Sequence, residues 1–426
     1  MIDSRLEIYD SLCTGCSACT EACLIKDENG VKPICLSINN NGLRVPRIDP
    51  DSCVRCMACY KSCPVTDRIT GSDGSFEIYR ERIGDCFYGY SLNSEHRFEA
   101  ASAGIATEIA SYLLDTKQVE GVVSSFQNED NEVITEIFTA GDEVRKTRGS
   151  IYRQVSLLNG LNDKLEAGNY RKLLVIGLPC HIAGLKKLQA VNENFRCMEI
   201  ITIALFCKQT KTEEFSRFAR IVLKAKPNKR IHYRGKGWPG RIRVDGGRSL
   251  PFNNIRLSLM WPSFAFTPSY CFACTDPLGQ VADISVGDPW LKKYSGERSG
   301  GSLFVANTSK GLGIIKEMAD DDRIFVQPET AENALVSQNI SYIRFKTRNL
   351  KARAVSLCGL AGKFEAHSNY LRTIRWVKTN KKMVECLYRT RIVIYIPELL
   401  LKVYGRATRL VFRRIADAGE KSGKTP

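Results

Sequence analysis

Apolar residues recur in two rhythms along the 426-residue chain. In RKLLVIGLPCHIAGLKKL, the run from Leu173 to Ile176 reads as a buried strand and Gly177-Leu178-Pro179 as a turn; the spaced apolar residues from near Ile182 read as an amphipathic helix. MEIITIALFCKQTKTEEFSRFARIVLK repeats the unit, with a strand near Glu199 to Phe206 and a helix near Thr212 to Leu223. Two such units predict a mostly parallel α/β sheet in the middle of the chain. Near the C terminus, Tyr388, Ile392, Ile396, Leu399, Val403, Ala407 and Leu410 recur at steps of three and four, an apolar helical stripe that Pro397 breaks or kinks into two helices. No apolar run approaches the roughly 18 residues that span a bilayer.

Composition adds little until charge is divided by region. At 43% hydrophobic and 25% charged, the chain has an ordinary soluble composition and the length for two or three domains. The net charge of +16 is concentrated: residues 340–426 carry 20 Lys and Arg against 5 Asp and Glu, whereas residues 1–75 carry 8 against 10. Arg389, Arg391, Lys402, Arg406, Arg409, Arg413 and Arg414 flank the apolar stripe. Three readings stay open for this tail: docking on its own domain, contact with an anionic membrane surface, or an acidic partner or nucleic acid. No nucleic-acid fold accompanies the charge, and no nucleic acid is expected as partner. The opening MIDSRLEIYD lacks the order of a secretory signal. The expected location is the cytoplasm, with the tail at most peripheral on the inner membrane face.

In that compartment thiols stay reduced, so 17 cysteines point to metal or redox chemistry. CTGCSACTEAC and CVRCMACYKSCP both fit C-x2-C-x2-C-x3-C, the ligand run of two-cluster bacterial ferredoxins. In that arrangement the fourth cysteine of each run crosses to the other cluster. Cys13, Cys16, Cys19 and Cys63 are expected on one [4Fe-4S] cubane, and Cys53, Cys56, Cys59 and Cys23 on the other. Zinc knuckles are the alternative, but zinc sites show C-x2-C pairs rather than two runs of four. Leu24 stands where proline usually follows the first run. The polar, glycine-rich DRITGSDGS, residues 67–75, closes this module as a linker.

Further cysteines sit at the carboxyl ends of the two predicted strands, Cys180 and Cys207, at the sheet edge where open α/β folds bind ligands. Taken singly, each reads as a small buried hydrophobe. Cys271 and Cys274 form a C-x2-C pair, which in a reducing compartment holds metal or exchanges disulfides. Together the four can make one more four-cysteine site. Cys35, Cys86, Cys197, Cys358 and Cys386 lack ligand spacing and read as packing residues.

GLPCHIAGLKKL, IALFCKQT, CFAC followed by ADISVGDPW, and SGGSLFVANTSKG together resemble the family of coenzyme F-420 hydrogenase and dehydrogenase beta subunits, from about Cys86 to Val326. The resemblance implies that Cys180, Cys207, Cys271 and Cys274 bind a third [4Fe-4S] cluster beside an FAD. EAASAGIATEIASYLL resembles a flavin-binding turn and helix, although Ala103 replaces a glycine common in the family, and the residues alone read as a helix cap. TRGSIYRQVS resembles the family's Gly-(Ser/Thr)-x-Tyr segment. The implied flavin contacts are Ser102, Gly104, Thr107, Arg148, Gly149, Ser150 and Tyr152, with His181 nearby. Family members commonly have glutamine at that last position, and a structural histidine is an equal reading.

The expected architecture is an α+β ferredoxin-like two-cluster domain (1–70), a linker (71–85), an α/β flavin- and cluster-binding domain (86–339) and a basic, mainly helical tail (340–426). Clusters carry one electron and hydride carriers move a pair; a flavin does both. The expected activity is that of an iron-sulfur flavoprotein oxidoreductase with three [4Fe-4S] clusters and FAD. It would act with a redox partner protein, a ferredoxin or a catalytic subunit, and with a deazaflavin or other small substrate. No catalytic acid or base is singled out. The alternatives are an electron-transfer subunit with no substrate of its own, feeding a separate enzyme, and a zinc-stabilised interaction protein.

Overall fold

The computed structural model describes residues 12–66, 83–272, 274, 276–339 and 368–421, with side chains of the last segment described for 376–411. The linker residues 67–82 and the first part of the tail, 340–367, lie outside the described residues.

The N-terminal module is built from two short helices, α1 (Ala18–Ala22) and α2 (Ala58–Lys61), and an antiparallel hairpin, β1 (Ile34–Ile38) and β2 (Arg44–Ile48). The two cysteine runs fold alike. Gly15 and Ser17 take left-handed φ of 74° and 73°, and the equivalent Arg55 and Met57 take 58° and 63°. Glycine adopts that conformation freely, whereas arginine and methionine do so at a cost, so its repetition at matching positions marks a shape that both loops must hold.

The larger unit contains strands β3 (Asp85–Ser91), β4 (Gly121–Gln127), β5 (Val133–Phe138), β6 (Lys172–Gly177), β7 (Glu199–Leu205), the small sheet strands β8 (Ile231–His232), β9 (Arg241–Val244) and β10 (Ser249–Pro251), then β11 (Ile284–Gly287), β12 (Ser302–Ala306) and β13 (Ile324–Glu329). Eight of them form one sheet in the order β13-β3-β12-β11-β7-β6-β4-β5. Only β11, β7, β6 and β4 run parallel; β12, β3 and β13 on one side and β5 on the other are antiparallel. The expected mostly parallel sheet is therefore a mixed one. Both faces of its centre are buried, which accounts for the unbroken apolar run in β6. Leu174 and Ile176 pack with Ile109 and Leu113 of helix α3 (Ile105–Asp115), and Leu173 and Val175 with Ile182, Leu185 and Leu188 of α4 (Pro179–Val191).

Helix α4 starts at Pro179, earlier than its apolar spacing suggests, because proline fits the first helical position, where an amide has no intrahelical partner. Cys180 therefore rides on the first turn of a helix. Helix α5 (Glu213–Val222) follows β7 as expected.

The module is docked on this unit. The Glu21 carboxylate accepts from the amides of Gly160 (3.0 Å) and Asn162 (2.9 Å), Lys187 Nζ donates to the Cys63 carbonyl (3.0 Å), and the Leu158 amide donates to the Cys16 carbonyl (3.1 Å). A Cβ at Gly184 of α4 would lie 3.1 Å from Cys16 Sγ, so the absence of a side chain there lets the first cysteine run approach.

In the tail, α6 (Ser368–Arg389), a 3-10 turn (Ile392–Ile394) and α7 (Glu398–Lys421) bracket Pro397, the expected break. Val384, Tyr388, Val393 and Leu401 are buried with Phe218, Ile255, Leu257 and Leu259, and Arg256 pairs with Glu398. The tail thus docks on its own domain, through Tyr388 and Ile396 of the expected stripe but not through its later part. Leu399 (71% exposed), Val403 (56%) and Leu410 (52%) face outward; α7 turns Leu401, Tyr404, Gly405 and Thr408 inward instead. A Cβ at Gly405 would sit 3.3 Å from Leu259, and this close backbone approach selects the docked face over the more apolar one. Of the remaining cysteines, Cys86 is buried as expected, whereas Cys35, Cys197 and Cys386 are exposed; Cys358 lies outside the described residues. No described helix is long and apolar enough to cross a membrane.

Candidate redox site

The eight cysteines of the two runs separate into two crossed groups. Cys13, Cys16, Cys19 and Cys63 line one small cavity, closed by Gly15, Leu36, Pro46 and Val65. Burial pushes the Cys19 thiol well above its ordinary range, and Cys16, Cys63, Cys13 and Cys59 add to it. Burial likewise raises Cys63 to about 12, with Cys16 contributing. In the second group, burial raises Cys59, and the neighbours acting on it are Cys53, Cys56 and Cys23. A cation among thiols packed this closely favours their ionised form, which suits soft, metal-bound thiolates. Among the described residues no three His, Cys, Asp or Glu side chains are spaced for a single metal ion. A cubane's ligands stand at the corners of a larger body. The first run is buried, while Val54, Arg55, Cys56 and Met57 of the second are exposed.

The third set gathers around Tyr270. This side chain is buried, and its hydroxyl is pushed up by burial first and then by Cys271, Cys180, Cys207 and Cys13. Cys180 comes from the start of α4, Cys207 from beyond β7, and Cys271 from the short helix Ser269–Phe272. The Cys207 amide donates to Pro277 (2.9 Å), tying in the segment that follows Cys274, and the Thr210 amide points at Cys271 Sγ (3.3 Å). Leu43 of the N-terminal module packs on Tyr270 and Cys271. Tyr270 therefore lies near both Cys13 and the Cys180, Cys207 and Cys271 group, a position no spacing in the sequence signals.

At the carboxyl edge of the parallel strands lies a cavity of about 990 Å³, at the upper end of the range of roughly 300–1,000 Å³ for small-molecule sites. Ser102, Gly104, Thr107, Arg148, Gly149, Ser150, Tyr152 and His181 all line it, as does Cys207. Gly104 is the left-handed residue that opens α3, and Gly149 has φ 113° with nothing within 4 Å of where a Cβ would stand. Gly149 thus leaves bare backbone at the cavity, whereas the missing side chain at Gly104 makes room for the His96 ring, 2.7 Å from where a Cβ would stand. Ser102 Oγ donates to the Gly301 carbonyl, which fastens this wall to the SGGS segment. The His181 ring caps the turn before α4: Nδ1 accepts from the Leu178 amide (3.1 Å), and burial lowers its pKa to about 4, keeping it neutral. That bond holds the ring in the cavity wall.

Aromatic and charged residues stand in or behind the same wall. Tyr152 sits among Phe215, Tyr233, Phe252 and Trp261, and Arg234 pairs with Asp288 (3.0 and 2.7 Å) while Trp238 Nε1 donates to the same carboxylate (2.7 Å). His96 Nε2 lies 2.8 Å from Thr107 Oγ1 beneath the Gly104 turn. Lys402, Arg406 and Arg409 of α7 also line the cavity.

Comparison with known proteins gives the same picture at the level of family. Residues 86–162 and 170–332 match the models for the N-terminal and C-terminal parts of the coenzyme F420 hydrogenase/dehydrogenase beta subunit, and residues 45–69 match a 4Fe-4S binding domain. A subunit of the F(420)H(2) dehydrogenase of Methanosarcina mazei is 25% identical over 292 residues, covering 66% of this chain and 76% of that protein. Coenzyme F420-dependent sulfite reductase of Methanocaldococcus jannaschii is 28% identical over 326 residues, covering 72% of this chain but 46% of that protein. A chain of the F420-reducing [NiFe] hydrogenase complex from Methanosarcina barkeri shares the fold, with a TM-score of 0.52 at 17% identity, over 65% of this chain and 92% of that one. With both parts of the beta subunit matched in order behind a 4Fe-4S domain, the chain belongs to the family of coenzyme F420 hydrogenase/dehydrogenase beta subunits.

Proposed function

We propose that the chain is an iron-sulfur flavoprotein oxidoreductase that joins one-electron transfer to two-electron chemistry on a small substrate, with a reduced or oxidised deazaflavin as the leading candidate. An iron-sulfur redox function follows from the family; the flavin and the hydride chemistry are this reading's own. The observation that carries it is the single cavity where all eight expected flavin contacts meet Cys207. FAD, when bound, accepts electrons singly or as a pair, and the clusters carry them singly. The chain's part is placement. Gly149 leaves room for the cofactor to approach the backbone, Tyr152 and its aromatic neighbours wall off water, and Arg234 is held in place by Asp288. Cys180, Cys207, Cys271 and Cys274 would hold the cluster next to the cavity. Cys13, Cys16, Cys19 and Cys63 would hold the next, across Tyr270, and Cys53, Cys56, Cys59 and Cys23 the outermost, at the exposed loop where a redox partner protein docks. The outward stripe of α7, with its basic flanks, supplies a reversible contact with anionic membrane.

A partner is the second reading's emphasis: several relatives are named as subunits, and the chain then feeds a separate catalytic subunit. The large cavity favours a substrate of its own. Anaerobic rapid mixing separates the two. Reduced deazaflavin or NAD(P)H should bleach the flavin band before the cluster bands. Clusters bleaching first, or no reduction by any hydride donor, contradicts the reading.

A further inference from the structure

The cavity carries a charge pattern that its cofactor does not explain. Among the described residues it is lined by six cations, Arg148, Lys208, Arg234, Lys402, Arg406 and Arg409, and one carboxylate, Asp288. Asp288 is already matched by Arg234. Three of the cations come from α7 at positions i, i+4 and i+7, one face of a helix. The tail's ion pairs among the described residues, Arg256 with Glu398 and Lys381 with Glu385, leave these three without a carboxylate. They are exposed, hence at the mouth, beside Ile255, Ser258 and Pro262. The docking of Leu401 and Gly405 on Leu259 and Ile255 fixes them there. The expected flavin contacts come from residues 102–107, 148–152 and 181, inside the segments the family shares; α7 lies beyond residue 332, where the family match ends.

We infer that Lys402, Arg406 and Arg409 form a subsite for the anionic arm, phosphate or carboxylate, of the two-electron substrate, so that the tail selects for charge at the cavity mouth. Fixed cations at a concave entrance focus their field on an incoming anion, raising both its affinity and its rate of arrival. The inference rests on the substrate cavity proposed above, while the shared chemistry of phosphate leaves two sources for the ligand, the substrate and the cofactor's own pyrophosphate.

The test is equilibrium binding of two fluorescent probes to the full chain, 5-deazaflavin mononucleotide and 5-deazariboflavin, which differ by one phosphate, with FAD content measured in parallel. Three exposed charge pairs are expected to favour the phosphorylated probe by on the order of ten-fold. That preference should shrink at high ionic strength in the unaltered protein and collapse in the Lys402→Gln, Arg406→Gln, Arg409→Gln variant with FAD content retained. Equal binding of the two probes by the unaltered protein overturns the inference. So does a preference that survives in the variant, or a variant that loses FAD while keeping the preference, since the cations then serve the cofactor. Protein that lacks flavin yet shows the salt-sensitive preference refutes the flavoprotein reading and upholds the subsite.

Discussion

Glu108 illustrates how single side chains hold the cavity wall. It lies in the first turn of α3, directly after Gly104 and Thr107, and is buried with Arg145 (3.0 Å), Arg323 (2.9 Å) and Ser91 Oγ (3.0 Å) on its carboxylate. Burial opposes its charge, but the hydrogen bonds from Arg323 and the field of Arg145 outweigh it and hold the carboxyl below its usual range. Its stabilising effect is therefore complete above the ordinary carboxylate pKa and is lost as pH falls through the lower value in the folded protein. Glu108→Gln should destabilise the domain by about 3 kcal/mol, since it leaves two partly buried arginines short of a partner. Denaturant titrations across acidic pH should show a flatter loss of stability in the variant; an unchanged slope and midpoint would discount this account of Glu108. The cysteines were legible as residues because four thiols at fixed spacing have few uses. Tyr270, Asp288 and Glu108 were not, since their partners lie far off in sequence.

Elements were legible where their signal is local. The run Leu173 to Ile176 and the periodic residues after Pro179 gave β6 and α4 within a few positions, because a strand buried on both faces and an amphipathic helix each leave their own pattern. Antiparallel β12, β3 and β13 went unforeseen: their pairing joins residues more than 200 apart, as Ser302 with Gly89. The tail misled in another way. Periodicity found its apolar face, but close packing at Gly405 and Leu401 chose the neighbouring face and left Leu399, Val403 and Leu410 outside. An exposed apolar row beside cations suits a lipid surface. Sedimentation with anionic vesicles should therefore be partial, weakened by salt, and reduced in a variant with Leu399, Val403 and Leu410 changed to Asn. Equal recovery of both proteins in the supernatant would remove the membrane from the account.

At the scale of the whole molecule, three cysteine groups and a cavity follow one another through the docked domains. The second run is exposed on the N-terminal module, Tyr270 lies near both inner groups, and the α7 cations line the cavity. Under the function proposed above, this arrangement would join a partner protein to a small molecule. The most direct measurement is iron, sulfide, zinc and flavin analysis of the anaerobically purified full chain. Three cubane clusters and one flavin predict about twelve irons, matching sulfide and one FAD per chain. About four irons, zinc in their place, or the absence of flavin would contradict it.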